Sequence, residues 1–536
     1  MNHHPAPVVT TAQGAVRGVR QDTTAAFLNI PYAAPPRGAG RFAAPQPHEP
    51  WDGVRDATVP GPNAPQSERK LGNVDMSPYF GAGWSRGADY LTANVWAPAM
   101  TGGGLPAMAG GDLPATAWGG LPATAGDDLP AIAADGLSVM AGGGLPVMVF
   151  VHGGGFVAGS TRSPMYDGSA FARDGVVLVT LNYRLGIAGF LDLPGAPANR
   201  GLLDVVAALR WVRENIAAFG GDPHNVTLFG QSAGATIVGG VLATPEADGL
   251  FRRAIIQSGS GLGAFTTEQA YRVTRAASDY LGIEPHADAF AEVSDDDLVE
   301  AASRLAGIDL RTETHRDPLI GLSPFSLVLD TQPAASVAAG HGTDVDLLIG
   351  TNAEEGNLYL VPMGHYSTST AEDVDAAAAR AHPDPARIVA AYRKARPEAS
   401  FGELRSAIMG DALFGAGSRA LAGAHAGHPD SGTFCYEFAW RSEAADGELG
   451  ATHAVELPFV FDLTHLPQLH GPHALLGPGK SPTDLATRMH ETWIRFATTG
   501  NPGWPPYNNE HRTTMRINTE WTEVNDPHDR ERLAWN

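Results

Sequence analysis

Short apolar runs alternate along the chain with stretches of helical period. Residues 176–181 (VVLVTL) and 226–229 (VTLF) are apolar and rich in β-branched side chains, as buried strands are. Between them, apolar residues recur at i, i+3, i+4, i+7 and i+11, at Val205, Ala208, Leu209, Val212 and Ile216. This spacing predicts a helix over residues 202–218 with one apolar stripe, which a sheet must cover.

The alternation continues on both sides of this unit. Residues 147–151 (VMVFV), 254–256 (AII) and 347–349 (LLI) predict further buried strands. Strands separated by helices are typical of a mostly parallel sheet that is covered by helices on both faces. The pattern therefore predicts an α/β fold.

Two regions lack strand runs. Residues 265–330 and 370–430 are rich in alanine and acidic residues and predict helices. No Gly/Ser linker separates either region from its neighbours, so we interpret both as helical cap or lateral regions. The prediction is a single domain over residues 1–536.

One segment departs from the alternation because it repeats. Leucine recurs every eight residues from Leu105 to Leu145, in units such as GGDLPATA. Such units bury little apolar surface and carry proline, so burial does not offset the entropy lost on ordering the backbone. We interpret residues 101–145 as a surface insertion, with a small β-solenoid or a binding array as the alternatives. We expect it to loop outward and leave the register of residues 147–151 intact.

Charge narrows the possible partners. The 536 residues include 36 Lys and Arg against 58 Asp and Glu, a formal net charge of −22. Such a chain repels a phosphate backbone, and no basic cluster counters the repulsion, so no nucleic-acid partner is predicted. No apolar run reaches the roughly 18 residues of a membrane span, and the N-terminus does not resemble a secretory signal. The prediction is a soluble, cytoplasmic protein that does not bind a membrane.

Cysteine and histidine content says less about chemistry. Cys435 is the single cysteine, so the fold does not depend on an intrachain disulfide, and we interpret it as a small core residue. Nineteen histidines offer many candidate bases. We expect most to lie on the surface, among them His3, His4, His425 and His428. A catalytic base therefore has to be recognised by its sequence context.

A serine on a glycine-flanked turn is the first candidate for chemistry. Residues 230–234 (GQSAG) lie between a predicted strand and an apolar helical stretch. A nucleophilic serine on so sharp a turn needs small residues two positions away on each side, here Gly230 and Gly234. The turn also presents Ser232 at a helix N-terminus, which favours developing negative charge. Taken alone, the motif also fits a plain glycine-rich turn.

A second glycine-rich segment follows the strand of residues 147–151. Residues 152–156 read HGGGF, and successive glycines can aim backbone N–H groups at a ligand oxygen without interference from Cβ atoms. This arrangement suits an oxyanion hole. A phosphate-binding loop is the competing interpretation, but neither Gly-Lys-Ser/Thr nor the spaced acidic residue of a dinucleotide site follows. A serine nucleophile also needs a base and a carboxylate to orient it.

Further motifs extend over almost the whole chain. They are residues 27–36 (FLNIPYAAPP), 41–42 (RF), 51–53 (WDG), 182–186 (NYRLG), 199–204 (NRGLLD), 219–223 (FGGDP), 257–259 (QSG), 499–502 (TGNP) and 504–505 (WP). In sequence and order they resemble type-B carboxylesterases, the cholinesterase-like branch of the α/β-hydrolase fold, and in particular the bacterial para-nitrobenzyl-esterase-like members. The resemblance implies that fold, with a central mostly parallel sheet, helices on both faces and helical cap regions.

The resemblance also implies an acid and a base. The family's acid lies in a Gly-Thr-x-x-x-Glu-Gly motif, which residues 350–356 (GTNAEEG) match with Glu355 in the acid position and Glu354 beside it. Its base lies in a Gly-x-x-His segment before a Glu-Leu-Pro-Phe run, which residues 450–459 (GATHAVELPF) match with His453. Nucleophile, acid and base then follow the chain order of α/β-hydrolases.

By the same resemblance the oxyanion donors are the backbone N–H groups of Gly154, Gly155 and Ala233. Two positions depart from the family pattern. Gln231 stands before the nucleophile where the family usually has Glu, which removes a charge and affects pH dependence. Tyr90 stands at the family's early disulfide cysteine, in agreement with the single cysteine.

These motifs together imply a function. The resemblance implies hydrolysis of carboxylic esters of small molecules through Ser232, Glu355 and His453 and an acyl-enzyme, with no cofactor and no metal. The same triad acting on an amide, thioester or lactone is one alternative, because triad geometry does not choose the leaving group. A catalytically inactive recognition module is the other. The oligomeric state is not predicted.

Overall fold

One large β-sheet organises the protein. The computed structural model describes residues 6–81, 83–99 and 144–535. The strands among these residues are β1 (Val8–Thr10), β2 (Ala15–Arg17), β3 (Val19–Gln21), β4 (Thr24–Pro31), β5 (Val54–Asp56), β6 (Thr92–Pro98), β7 (Leu145–Val151), β8 (Val177–Leu181), β9 (Gly221–Gln231), β10 (Arg253–Gln257), β11 (Asp346–Asn352), β12 (Thr433–Phe438), β13 (Thr513–Ile517) and β14 (Thr522–Asn525). Eleven of them form the large sheet in the order β14-β13-β12-β11-β10-β9-β7-β8-β6-β4-β3, and β1, β2 and β5 form a small second sheet.

The central part of the large sheet is parallel. From β8 through β7, β9, β10, β11 and β12 to β13, neighbouring strands pair in parallel. The pairs β3–β4, β4–β6, β6–β8 and β13–β14 are antiparallel. Parallel strands are covered on both faces, which explains why every residue of β7 and β8 is buried. The five predicted apolar runs all lie in this parallel part, and the predicted mostly parallel sheet is confirmed.

Helices cover the sheet. Those among the described residues are α1 (Ser77–Phe80), α2 (Ser169–Arg173), α3 (Gly186–Phe190), α4 (Arg200–Asn215), α5 (Ala233–Leu242), α6 (Thr267–Leu281), α7 (Ala287–Ala291), α8 (Asp295–Arg304), α9 (Pro333–Ala338), α10 (Asn357–Leu360), α11 (Ala371–Ala381), α12 (Pro385–Ala395), α13 (Phe401–Gly410), α14 (Ala416–His425), α15 (Leu457–Val460), α16 (Thr483–Thr499) and α17 (Asp529–Trp535). A π-helical turn, Asp411–Gly415, joins α13 to α14. No helix among the described residues is long and apolar enough to cross a membrane.

The side chains of β7 alternate between two apolar cores. Val147, Val149 and Val151 pack with apolar residues of α4 and α5 on one face of the sheet. Met148 and Phe150 pack with those of α15 and α16 on the other face. Since successive side chains of a strand point to opposite faces, this division places helices on both sides. Helix α4 and the 3₁₀ turn after it, Ile216–Phe219, occupy the segment for which the apolar stripe predicts a helix.

Both regions without strand runs are helical. Helices α6, α7 and α8 lie within residues 265–330, and α11 to α14 lie within residues 370–430. Helices α11, α12 and α13 enclose a third apolar core of their own. That core includes Val374, Ile388 and Ile408, each fully buried.

Two single-residue predictions have opposite outcomes. Cys435 is buried, as predicted. The prediction of a surface position for His425 is wrong, because α14 packs against β11 and β12 and buries the ring completely. Its Nδ1 lies 2.7 Å from the Thr433 hydroxyl and its Nε2 lies 2.9 Å from the Val345 carbonyl oxygen, so both ring nitrogens have partners. The alanine-rich context does not reveal this, since small residues are also what lets a helix approach a sheet closely.

A buried ion pair ties the loop after β8 to α4. The guanidinium of Arg184 donates to both carboxylate oxygens of Asp204, at 2.9 and 2.7 Å, and neither side chain is exposed. Arg184 also donates to the carbonyl oxygens of Arg41, at 3.1 Å, and Ala43, at 2.6 Å. The pair therefore connects the N-terminal segment, the loop after β8 and the helix that covers the sheet.

The strands on each side of the proposed insertion begin and end close together. Residues 101–143 lie outside the described part of the chain. Trp96 of β6 and Met148 of β7 both pair with Leu178 of β8, from opposite sides. The end of β6 and the start of β7 are thus about two strand spacings apart, roughly 10 Å. Residues 147 to 151 pair with β8 in one continuous register.

Deletion of residues 103–141 tests whether the repeats are an insertion. Five residues would then join residue 99 to residue 144, and an extended chain of that length reaches roughly 17 Å, enough for the gap. We expect a folded protein with an unchanged thermal unfolding midpoint and the turnover that the resemblance implies. An insoluble or inactive product would show instead that the repeats pack on the sheet.

Replacement of Asp204 by alanine tests the buried pair. The change leaves the Arg184 guanidinium buried without its carboxylate, which costs about 3–5 kcal/mol of unfolding free energy. Asp296→Ala is the matched control, because its pair with Arg86 is 64% and 63% exposed and is screened by water, so its loss should change stability little. Thermal unfolding at one scan rate compares the two variants. Equal shifts would contradict the structural role of the buried pair.

Candidate active site

Ser232 lies on a strained turn between β9 and α5. Its φ is 59° and its ψ is −126°, a backbone conformation that residues other than glycine rarely adopt. The turn is held by the Ser232 N–H, which donates to the Gln257 carbonyl oxygen at 2.9 Å. A Cβ atom on Gly234 would overlap the carbonyl oxygens of Val151 and His152. The small flanking residue predicted from the motif is thus required by close contact with β7.

The structure brings Ser232, His453 and Glu355 together. His453 Nε2 lies 2.8 Å from Ser232 Oγ, and His453 Nδ1 lies 2.5 Å from Glu355 Oε2. All three side chains are buried. Ser232 follows β9, Glu355 follows β11 and His453 follows β12, so each is placed beyond the carboxyl end of a parallel strand, where open α/β sheets form their sites.

The second oxygen of Glu355 is also occupied. Glu355 Oε1 accepts a hydrogen bond from the Asn352 N–H at 2.7 Å and another from the Ser258 hydroxyl. Ser258 has a φ of 53° and follows β10. These contacts fix the carboxylate plane, which orients the imidazole. The sequence motif that contains Ser258 carries no sign of this role, because the contact spans 97 residues.

The neighbouring Glu354 faces another way. Its carboxylate pairs with Arg441 and accepts the Ala451 N–H at 2.8 Å. It therefore holds the loop that carries His453 without contacting the ring. Adjacent acidic residues in one motif thus take different positions, as the family pattern implies for Glu355.

The candidate oxyanion donors lie beside Ser232. Gly154 and Gly155 have φ values of 120° and 63° in the loop after β7, and Ala233 is the first residue of α5. Among the described residues, none of these three N–H groups donates to a protein acceptor. A Cβ on Gly155 would meet no atom within 4 Å, so space lies open there. The Gly155 carbonyl is fixed by the Ser323 hydroxyl, which donates to it at 2.7 Å.

Two aromatic rings enclose the imidazole. Phe414 stacks on His453 with ring centroids 4.4 Å apart and an interplanar angle of 9°. Tyr359 of α10 lies with its centroid 5.9 Å from that of His453. Phe414 belongs to the π-helical turn, and such turns often occur at functional sites. Sequence reasoning missed both residues, and no local motif marks either one.

The side chain of Gln231 contacts the imidazole of His453. Its Nε2 lies 3.3 Å from His453 Nε2, and its Oε1 accepts a hydrogen bond of 2.6 Å from the Tyr79 hydroxyl. Tyr79 is buried, which raises its pKa, so the phenol is neutral and donates. The departure from the family pattern therefore places a neutral amide against the base.

Glu456 is a second buried carboxyl group behind the triad. Its oxygens accept hydrogen bonds from Gln257 Nε2 at 3.2 Å and Asn352 Nδ2 at 2.6 Å. Burial, and after it the negative charge of Glu355, raise the pKa of Glu456 to about 7. The carboxyl group of Glu456 thus titrates near neutral pH, close to a base that must gain and lose a proton.

The arrangement provides the groups that acyl transfer needs. A hydroxyl, an imidazole and a carboxylate form one hydrogen-bonded chain, with backbone donors beside the hydroxyl. No group of three or more His, Cys, Asp or Glu in the described part of the chain could hold a metal ion. The site therefore contains the groups that nucleophilic catalysis requires.

Comparisons with known proteins point in the same direction. The model of a family described as the carboxylesterase family matches residues 5–535. The chain is 34% identical to the para-nitrobenzyl esterase of Bacillus subtilis over 98% of its length and 97% of that protein's. It is 30% identical to the phenmedipham hydrolase of Pseudarthrobacter oxydans, which covers 97% of this chain and 96% of that one. With the fumonisin B1 esterase of Sphingopyxis macrogoltabida it shares 32% identity over 94% of this chain and 85% of that one.

Solved structures are similar as well. A para-nitrobenzyl esterase superimposes with a TM-score of 0.78 at 34% identity, covering 99% of both chains. A carboxylesterase of Geobacillus stearothermophilus superimposes with a TM-score of 0.79 at 33% identity, covering 99% of this chain and 100% of that one.

Replacement of Glu456 by glutamine tests its titration. The folded-state pKa of about 7 lies above the ordinary value of 4.5, so the folded protein holds a proton that the unfolded chain loses between these pH values. Stability therefore falls as pH rises from about 4.5 to 7, by roughly 3 kcal/mol from this group. The variant should lose that part of the slope.

The readout is the change in unfolding midpoint with pH, compared between the wild type and Glu456→Gln. The absolute stability of the variant does not decide the matter, because glutamine replaces one acceptor oxygen by a donor. An identical slope in both proteins would contradict the raised pKa.

Proposed function

The chain belongs to the carboxylesterase family, and from that membership we propose that it cleaves carboxylic esters with Ser232 as nucleophile, His453 as general base and Glu355 as the orienting acid. It is a carboxylic ester hydrolase with the α/β-hydrolase fold of its relatives. The observation that carries the finer assignment is the continuous hydrogen-bonded chain from Ser232 Oγ through His453 to Glu355. The substrates are small-molecule esters, as the names of the relatives support.

Acylation begins at Ser232. His453 Nε2 accepts the hydroxyl proton at 2.8 Å as Oγ attacks the ester carbonyl carbon. The tetrahedral intermediate places negative charge on the former carbonyl oxygen. Collapse breaks the bond to the alcohol, and the imidazolium returns the proton to that leaving group. The products of this half are a free alcohol and an acyl-enzyme on Ser232.

Deacylation repeats the same proton transfers with water. His453 accepts a proton from the attacking water, and the second tetrahedral intermediate collapses with the proton returned to Ser232 Oγ. The carboxylic acid then leaves and the serine is regenerated. No external oxidant or cofactor enters this balance.

The groups around Ser232 and His453 stabilise the charges that develop during the reaction, and they form no covalent bond with the substrate. Glu355, 2.5 Å from His453 Nδ1, keeps the proton on that nitrogen and stabilises the imidazolium. The N–H groups of Gly154, Gly155 and Ala233 are proposed to bind the oxyanion; removing one such donor in comparable enzymes costs about 3 kcal/mol. They gain strength only as charge develops, so they lower the barrier rather than the ground state.

The Ser232→Ala variant tests the nucleophile. Without Oγ no acyl-enzyme forms, and turnover of a short chromogenic ester should fall by about a thousand-fold or more. An organophosphonate that phosphonylates active serines should label the wild type at Ser232, as read by peptide mass, and stop its turnover. Ser367→Ala, a change at an exposed serine, is the matched control and should leave both readouts unchanged.

Three outcomes would contradict the proposal, each in a different part. More than a few per cent of wild-type turnover from clean Ser232→Ala would contradict the assignment of the nucleophile. A folded wild type that is neither labelled nor active on an ester panel would favour a recognition module. Faster turnover of matched amides, thioesters or lactones would redirect the same triad to another acyl bond.

A further inference from the structure

A cavity of about 390 Å³ lies beside the candidate triad. Its wall includes Leu358 and Tyr359 of α10, three and four residues after Glu355, and Val157, two residues after Gly155. Tyr359 is also one of the two rings beside His453. The cavity is therefore placed to receive the part of a substrate that extends away from the scissile bond.

Most of the wall is apolar, but one charged side chain stands out. Helix α8, the start of α3 and the segment around Leu322 supply aliphatic groups. The segment before α1 supplies Arg69, which is partly buried. A guanidinium in such a wall is costly unless an anion pairs with it.

Arg69 has no such partner in the described part of the chain. No carboxylate or carbonyl oxygen there lies within ion-pair or hydrogen-bond distance of its guanidinium. Burial lowers the pKa of Arg69, and the groups that oppose the shift are the phenols of Tyr359 and Tyr79. Burial raises the pKa of both phenols, so at neutral pH they carry no charge that could balance the cation.

The other charged residues of the wall are already paired. Lys70 lies 3.4 Å from Glu68 and its side chain is 80% exposed, so water and a carboxylate both solvate it. Asp295 lies 3.4 Å from Arg41. Arg69 is thus the residue in this cavity whose charge is left for a ligand.

We propose that Arg69 binds a carboxylate of the substrate, so that this enzyme prefers esters that carry a free carboxylate over neutral esters of the same shape. The inference rests on the proposed ester hydrolysis and names the substrate class of that site. A guanidinium offers planar, paired N–H donors that match a carboxylate. Because Arg69 is partly buried, water screens such an ion pair less than it would on the surface. The preference resides in binding and appears mainly in KM.

The test compares esters that carry a free carboxylate with the same esters in which that carboxylate is methylated and therefore neutral. One pair is mono-4-nitrophenyl adipate and its methyl ester, which carry the charge or its neutral counterpart on the acyl side. A second pair, 4-carboxyphenyl butyrate and its methyl ester, carries it on the alcohol side. In at least one pair the wild type should favour the anionic ester, and Arg69→Gln should lower that preference by about ten- to a hundred-fold. Turnover of the neutral ester should change little, which also shows that the variant is folded.

Arg304→Gln is the matched control. It removes the same charge from α8 beside the cavity, but Arg304 already pairs with Glu300 at 3.3 Å and its side chain is 65% exposed. Charge reversal adds a second readout: Arg69→Glu should shift the preference toward a 6-(trimethylammonio)hexanoate ester of 4-nitrophenol. A loss of preference that is equal in Arg69→Gln and Arg304→Gln would overturn the inference, because it would reflect the overall field.

A binding measurement separates this inference from the proposed function. Calorimetry with Ser232→Ala and mono-4-nitrophenyl adipate reports affinity without turnover, and adding Arg69→Gln should weaken it by about ten-fold or more. Unchanged preference and unchanged affinity would overturn the role of Arg69 while ester hydrolysis stands. A wild type that hydrolyses none of these esters would contradict the proposed function, and calorimetry would still decide whether Arg69 binds the carboxylate.

Discussion

The backbone of Ser232 is the constraint on which the site depends. A φ of 59° is costly for a residue with a side chain, and it persists because three strands fix the turn from different sides. β9 ends there, the strand β10 accepts its N–H through Gln257, and β7 leaves room only for glycine at position 234. Any shift of these strands would move Oγ away from the imidazole.

Four acidic side chains near the site differ through their surroundings. Glu355 is held by Asn352 and Ser258 and faces His453, so it remains available to an imidazolium. Glu354 pairs with Arg441 at the edge of the site. No cation among the described residues forms an ion pair with Glu456, and burial raises its pKa to about 7. Asp295 in the cavity wall pairs with Arg41. These carboxyl groups differ because the fold surrounds each one with different hydrogen-bond donors and cations. The residue type alone does not distinguish them.

The α/β fold and the family could both be predicted from the amino-acid sequence alone. Apolar runs without alternation marked strands that are covered on both faces, and the parallel order of the sheet follows from helices between them. Motifs from residue 27 to residue 505 identified the carboxylesterase family. The glycine-flanked turn indicated Ser232, because a sharp turn restricts the residues close to it in the chain, and the resemblance to the family's motifs implied Glu355 and His453. Their catalytic roles remain predictions.

Contacts between residues that are far apart in the chain become visible only in the folded protein. Phe414 reaches His453 through a π-helical turn, Ser258 reaches Glu355 across the sheet, and Arg69 enters a cavity whose walls come from separate segments. His425 illustrates the same limit, since its polar partners are Thr433, the first residue of β12, and Val345, the residue before β11, and its own sequence context shows neither contact. Periodicity and motifs report on neighbours along the chain. Contacts between elements depend on how the sheet stacks them, and local sequence does not encode that order.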